Sequence, residues 1–374
     1  MNAKFAVVVG AALVSACANF SPHPEWVQRP SSDDLEPVLS GEILLGEKVR
    51  PDELPDYDLM ALSPRMKALA EELEQHYSDP YQRAEALHRE LKSSRIAGGQ
   101  GLRYEALNTA PAAEAFAARE VNCLSYSFIY VAMARHMGLT ANVNDVAVPP
   151  SWSLRGEDSF LFFRHVNAKV QLSRGEELVV DLEMEQYSPV YTQQVISDEL
   201  AAAQFYNNRG MELLADGQTR EGFLHLRKAL ALDDRQSYIW GNLGTLYSRQ
   251  GHYDLAEAAF LEGLALEPED LTIVSNLGRL YRNLDEPDKA EYFTQRAREH
   301  RNSNPYYLFA RAKERFDSGD VREAQRLLDD ALSRERKEPR FYALAAEIYE
   351  HREQPAKAER MRAEQRRWSE QLYL

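Results

Sequence analysis

Cysteine is nearly absent: the 374 residues hold two, Cys17 and Cys123. So few thiols exclude a disulfide framework as the source of stability, although parity alone leaves one bridge between them open. Basic excess is lacking too. With 44 Lys and Arg against 59 Asp and Glu, the formal charge is −15, which excludes nucleic acid as a partner, because that partner requires a positive surface. Beyond a short apolar leader, no hydrophobic run approaches the about 20 residues that a membrane-spanning helix needs. The length remaining after the leader suits two domains.

The leader carries Lys4 and then the apolar run Phe5 to Val14, with the shape of a secretory signal. It ends at Val14-Ser15-Ala16-Cys17, which resembles a bacterial lipobox, the small-residue site before a cysteine that becomes lipid-modified. An ordinary signal peptide with an incidental cysteine is the alternative. The resemblance implies a lipidated Cys17 and, with no Asp following it, an outer-membrane lipoprotein facing the periplasm. The membrane is then touched through the lipid anchor only. Residues 1–17 are expected to be the signal. Residues 18–58, with Pro22, Pro24, Pro30, Pro37, Pro51 and Pro55, read as a proline-rich tether that buries no core.

From residue 201 to about 370 the sequence repeats every 34 residues. A small residue recurs at Gly210, Gly244, Gly278, Ala312 and Ala346, and a second at Gly222, Ala256, Ala290, Ala324 and Ala358. Small residues let two helices approach, and stacking supplies the core that no single unit can bury. The second unit, with Trp240, Leu243-Gly244, Tyr247, Ala256, Phe260 and Pro268, resembles the tetratricopeptide repeat. That resemblance implies an all-α solenoid of five units that binds a protein or peptide in its groove. Asn208, Asn242 and Asn276 share one slot in three successive units. Their amides offer donors and acceptors to the backbone of an extended ligand, although asparagine is also common in this slot of such repeats.

Residues 59–196 do not repeat. Helical periodicity runs from Met60 to Lys92, a Gly98-Gly99-Gln100-Gly101 break follows, and Thr109 is placed near the N-cap of a short helix over 110–116. Cys123 then opens a strongly apolar helix that Gly138 ends. A thiol in the first turn of a helix meets the positive end of the macrodipole and free N–H groups, which favour a thiolate and stabilise an oxyanion. Alternating stretches predict strands over 141–148, 160–172 and 178–184. His165 lies on the second and Asp181 on the third. If the turn between them has an odd number of residues, both project from one face, and Val166, Ala168 and Val170 share the other with Leu178, Val180 and Leu182. The alternative for Cys123 is a buried core thiol.

Asn122-Cys123, Gly138-Leu139, His165-Val166 and Asp181 resemble the transglutaminase-like superfamily, papain-related thiol enzymes of α+β fold. The resemblance implies Cys123 as nucleophile, His165 as base and acid, and Asp181 as the group that orients the imidazole. Many members have tryptophan two residues after the histidine, where this chain has Asn167. Gln100, Asn108 and Asn122 are candidate oxyanion donors. Neither cofactor nor metal is expected. The resulting expectation is a lipid-anchored thiol enzyme, peptidase, amidase or acyltransferase, whose array recruits a partner. A non-catalytic assembly lipoprotein on a degenerate transglutaminase-like platform is the alternative.

Overall fold

The computed structural model describes residues 24–148, 151–152, 160–161, 165–172, 175–182 and 191–370. The leader and Cys17 lie outside the described residues. So does the part of the second predicted strand between residues 162 and 164.

From residue 24 on, the segment expected to be a tether is instead folded onto the repeats. It forms α1 (Ser32–Ser40), α2 (Glu42–Leu45) and a 3-10 turn over Pro51–Glu53. Ser31 and Asp34 cap α1 reciprocally. The apolar residues among its prolines find aromatic surface on the distant repeats. Trp26 presents its ring edge-on to Tyr281, Tyr292 and Phe293, with centroids 6.1, 5.3 and 5.9 Å away. Val38 is fully buried and its carbonyl accepts from Tyr247 Oη at 2.7 Å. Tyr57 stacks on Tyr206 and donates its backbone N–H to that phenol at 2.8 Å. Gly41 takes φ +74°, and a Cβ there would sit 2.6 Å from the Phe223 ring. Ion pairs fasten the edges: Arg29 forks Glu262, Arg220 meets Glu47 and Glu53, and Lys228 meets Asp56. This strap is part of the core.

The thiol half follows. The periodic stretch from Met60 to Lys92 is two helices, α3 (Pro64–His76) and α4 (Pro80–Lys92). Pro80 lacks an N–H and holds Asp79 extended, so the chain breaks there and Asp79 caps the second helix. Next come β1 (Arg103–Tyr104), α5 (Ala112–Ala118), β2 (Glu120–Val121) and α6 (Cys123–His136). Every residue of α6 from Leu124 to Ala134 is buried, as an apolar circumference requires. The strands β3 (Thr140–Val146), β4 (Ser151–Trp152), β5 (Phe160–Leu161), β6 (His165–Gln171), β7 (Glu177–Val180) and β8 (Gln193–Val195) complete this half. Four of them make an antiparallel sheet in the order β7-β6-β3-β8. Val170 pairs with Leu178 and Ala168 with Val180. The apolar face of β6 and β7 therefore has the register that the alternation predicts, and it joins α6 in one core.

Ten helices make five hairpins: α7 (Asp198–Ala215) with α8 (Thr219–Leu232), α9 (Ser237–Arg249) with α10 (Tyr253–Leu266), and α11 (Leu271–Asn283) with α12 (Pro287–Ser303). Then come α13 (Pro305–Asp317) with α14 (Val321–Arg334), and α15 (Pro339–His351) with α16 (Pro355–Glu370). The first helices of units two to five start at Ser237, Leu271, Pro305 and Pro339, each 34 residues after the last. Gly244 shows why the small position is small: a Cβ would lie 2.7 Å from the Phe260 ring. One core runs from Val38 to Ala297, so the strap, the thiol half and three repeats pack together, while Leu308 to Ile348 form a second core.

Candidate functional site: a thiol, an imidazole and a carboxylate

Asn122 sets the start of α6 by accepting from the Ser125 N–H at 2.8 Å. Its amide also donates to Thr109 Oγ1 at 2.7 Å. The Ser125 hydroxyl donates to the Ala110 carbonyl and accepts from the Ala110 N–H, at 2.8 and 2.9 Å. The segment ahead of the thiol is thus clamped against the helix. Thr109 is not the cap of α5, whose N-cap is Pro111. It lies 2% exposed and donates to Glu212 of α7 through its hydroxyl, at 2.6 Å, and through its N–H, at 3.1 Å. The first repeat therefore reaches the base of the cysteine helix. Cys123 itself is half-buried.

On the sheet, His165 and Asp181 are 6% and 2% exposed. Their register puts them on one face, and His165 Nε2 lies 2.5 Å from Asp181 Oδ2. Burial by itself lowers the imidazole pKa, but the hydrogen bonds and negative charge of Asp181 and Cys123 outweigh it and push His165 up to about 10. The ring is an imidazolium at neutral pH. With Nε2 held by Asp181, Nδ1 is the nitrogen left for the sulfur. Asn167 donates to the same Asp181 oxygen at 3.2 Å. Asn144 donates to Asn167 at 2.7 Å and to Gln193 at 3.1 Å. A polar chain thus crosses the sheet and fixes the carboxylate from behind.

Tyr126, three residues after Cys123, meets His88 Nδ1 at 2.6 Å. Burial, the Tyr130 phenol and Asp181 raise the Tyr126 pKa, while burial and the Lys92 charge lower that of His88. Both shifts favour the neutral forms of Tyr126 and His88.

The three candidate oxyanion donors are all engaged. Gln100 bonds Arg65 and Glu90, Asn108 bonds Glu120, and both ends of the Asn122 amide are used. The N–H groups of Cys123 and Leu124, ahead of the first intrahelical bond, form none of the described backbone hydrogen bonds. In the array, Asn208, Asn242 and Asn276 are half-buried and joined within it. Asn242 donates to Asn207 at 2.8 Å, Asn207 to Asn208 at 3.3 Å, and Asn276 to Thr245 at 3.3 Å. Asn242 and Asn276 thus stitch neighbouring units, while Asn208 accepts within its own helix. Glu212, Ser125 and Asn144 were not singled out by sequence. Only the chain fold brings them to the site.

The family model described as tetratricopeptide repeat matches residues 237–270. The helical half is built of tetratricopeptide repeats. Over 152 residues the chain is 26% identical to tetratricopeptide repeat protein 16 of Macaca fascicularis and of Homo sapiens, covering 38% of this chain and 17% of those relatives. Among solved structures, MamA from Desulfovibrio magneticus RS-1 is 12% identical over 47% of this chain and 98% of its own, with a TM-score of 0.27. YrrB, a TPR protein with an unusual peptide-binding site, is 21% identical over 44% of this chain and 86% of its own, with a TM-score of 0.26. Repeats of this kind bind protein or peptide partners. Among the described residues, no helix is long and apolar enough to cross a membrane.

Proposed function

We propose that the chain is a thiol acyl-transfer enzyme of transglutaminase-like type, lipid-anchored through Cys17 at the periplasmic face of the outer membrane, whose repeats hold a protein partner or substrate. The reading is carried by the buried His165 ring, bonded to Asp181 on one nitrogen and raised by Cys123 as well as Asp181. In this mechanism Cys123 Sγ attacks an amide carbonyl carbon, and the N–H groups of Cys123 and Leu124 receive the oxyanion. His165 gives its proton to the leaving amine as the C–N bond breaks, leaving a thioester. Water, or a second amine, then attacks while His165 takes back a proton, and the thiolate leaves. Asp181, held by Asn167, keeps the imidazole aimed throughout.

p-Nitrophenyl acetate tests this without knowledge of the substrate. The protein should release a stoichiometric burst of nitrophenol and carry an acetyl group on Cys123, and His165→Ala should lose both. No burst, with Cys123 alkylated by iodoacetamide no faster than in His165→Ala, would leave the second reading, a repeat scaffold on an inactive platform. Engagement of all three candidate oxyanion side chains favours that reading. Metabolic labelling with palmitate, lost in Cys17→Ser, tests the anchor.

A further inference from the structure

Away from the thiol, α4 ends at Lys92 and the chain turns through a one-turn 3-10 helix, Arg95–Ala97. The glycine-rich loop after it folds back on α4: the N–H groups of Gln100 and Gly101 donate to the carbonyls of Glu90 and Ser93. Facing it is the C-terminal end of α5. Between them lies a cavity of about 420 Å³ whose wall includes Lys92, Ser94, Arg95, Arg103 and Arg119. In a chain of formal charge −15 four cations around one cavity are out of keeping. Arg103 is neutralised by Glu120 at 3.0 Å, and Lys92 Nζ donates to the Leu182 carbonyl at 3.2 Å. Lys92, Arg95 and Arg119 are in none of the described ion pairs, so among the described residues three cationic residues line the cavity without an ion-paired carboxylate. A single carboxylate would leave two of them unmatched, whereas a phosphate dianion offers three oxygens to two guanidinium forks and an ammonium.

We infer that this cavity is a phosphate-binding site, taking a phosphoryl group from a soluble molecule or from a lipid headgroup. It is tied to the thiol site at both walls: Arg119 precedes Cys123 by four residues, and Lys92 holds the carbonyl next to Asp181. Ile96, next to Arg95 in the chain and fully exposed, offers a bound amphiphile an apolar contact.

The test uses Arg95→Gln with Arg119→Asn, because Arg119 has φ +61° and Asn tolerates that backbone. The control, Arg298→Gln with Lys313→Gln, removes the same charge from exposed positions on the array. Titration with inorganic phosphate, read by calorimetry, and flotation with vesicles containing phosphatidic acid, a phosphomonoester lipid, separate the two sources. Saturable binding to either, at least tenfold weaker in the cavity variant and unchanged in the control, is the expected result. Binding to neither probe, or equal loss in both variants, would overturn it.

Discussion

The thiol half and the repeat array bury polar groups in opposite ways. In the sheet, Asn144, His165, Asn167 and Asp181 are buried side by side and bonded in a chain. In the array the interior is close-packed apolar surface, with Gly244 under the Phe260 ring, and its buried carboxylates Glu262 and Glu338 are each held by an arginine. The first arrangement places charge where hydration is lost, which stabilises nothing unless each member stays paired. The second is close packing, whose stability is additive from unit to unit. What sets the thiol half apart is a buried imidazole bonded to a buried carboxylate, and that marks where chemistry is to be sought. The strap and Glu212 join the two.

Four substitutions sharpen or break this contrast, and the largest effect belongs to the sulfur. Cys123→Ala should lower burst-phase acylation at least about 1,000-fold, with the thermal midpoint nearly unmoved, since a half-buried sulfur contributes little packing. Retained acylation would remove the thiol from the mechanism. Asp181→Asn should destabilise the protein by about 3 kcal/mol at pH 6. His165 has a folded pKa above its unfolded value, so this stabilisation is full below the unfolded value and lost as pH rises through about 10. Urea unfolding of both proteins from pH 6 to pH 10.5 should show the difference shrinking. A constant difference would mean that the pair is not charged. In the array, Gly244→Val should cost about 2 kcal/mol by overpacking against Phe260, at every pH alike in thermal unfolding. Smallest is Glu212→Gln, about 1 kcal/mol from weakened charge-assisted bonds to Thr109. It should slow iodoacetamide at Cys123 while leaving helical circular dichroism intact, and an unchanged rate would uncouple array from site.

The repeats were legible because each unit carries its own pattern within 34 residues, and the structure keeps that period from Ser237 to Pro339. The hairpin register was legible too, since alternation in Val166-Ala168-Val170 and Leu178-Val180 fixes which residues share a face. The strap was not. Its apolar residues, Trp26, Val38 and Tyr57, follow no helical or strand period, because their spacing matches sites on three different repeats about 150 to 270 residues away. Prolines make such a segment look like a linker, yet Pro37 lies within α1 and Pro51 opens the 3-10 turn. The clamp at Thr109 was hidden for the same reason. Glu212 reads as a solvated residue of a repeat helix until α7 is laid against α6.

The fastening of Trp26 to the third repeat has a mechanical consequence. Nine peptide steps separate it from Cys17, and an extended chain covers no more than about 30 Å in that distance. Were Cys17 held in a bilayer, repeat three would hang within roughly a membrane's thickness of the lipid, and only partners already at that surface would meet it.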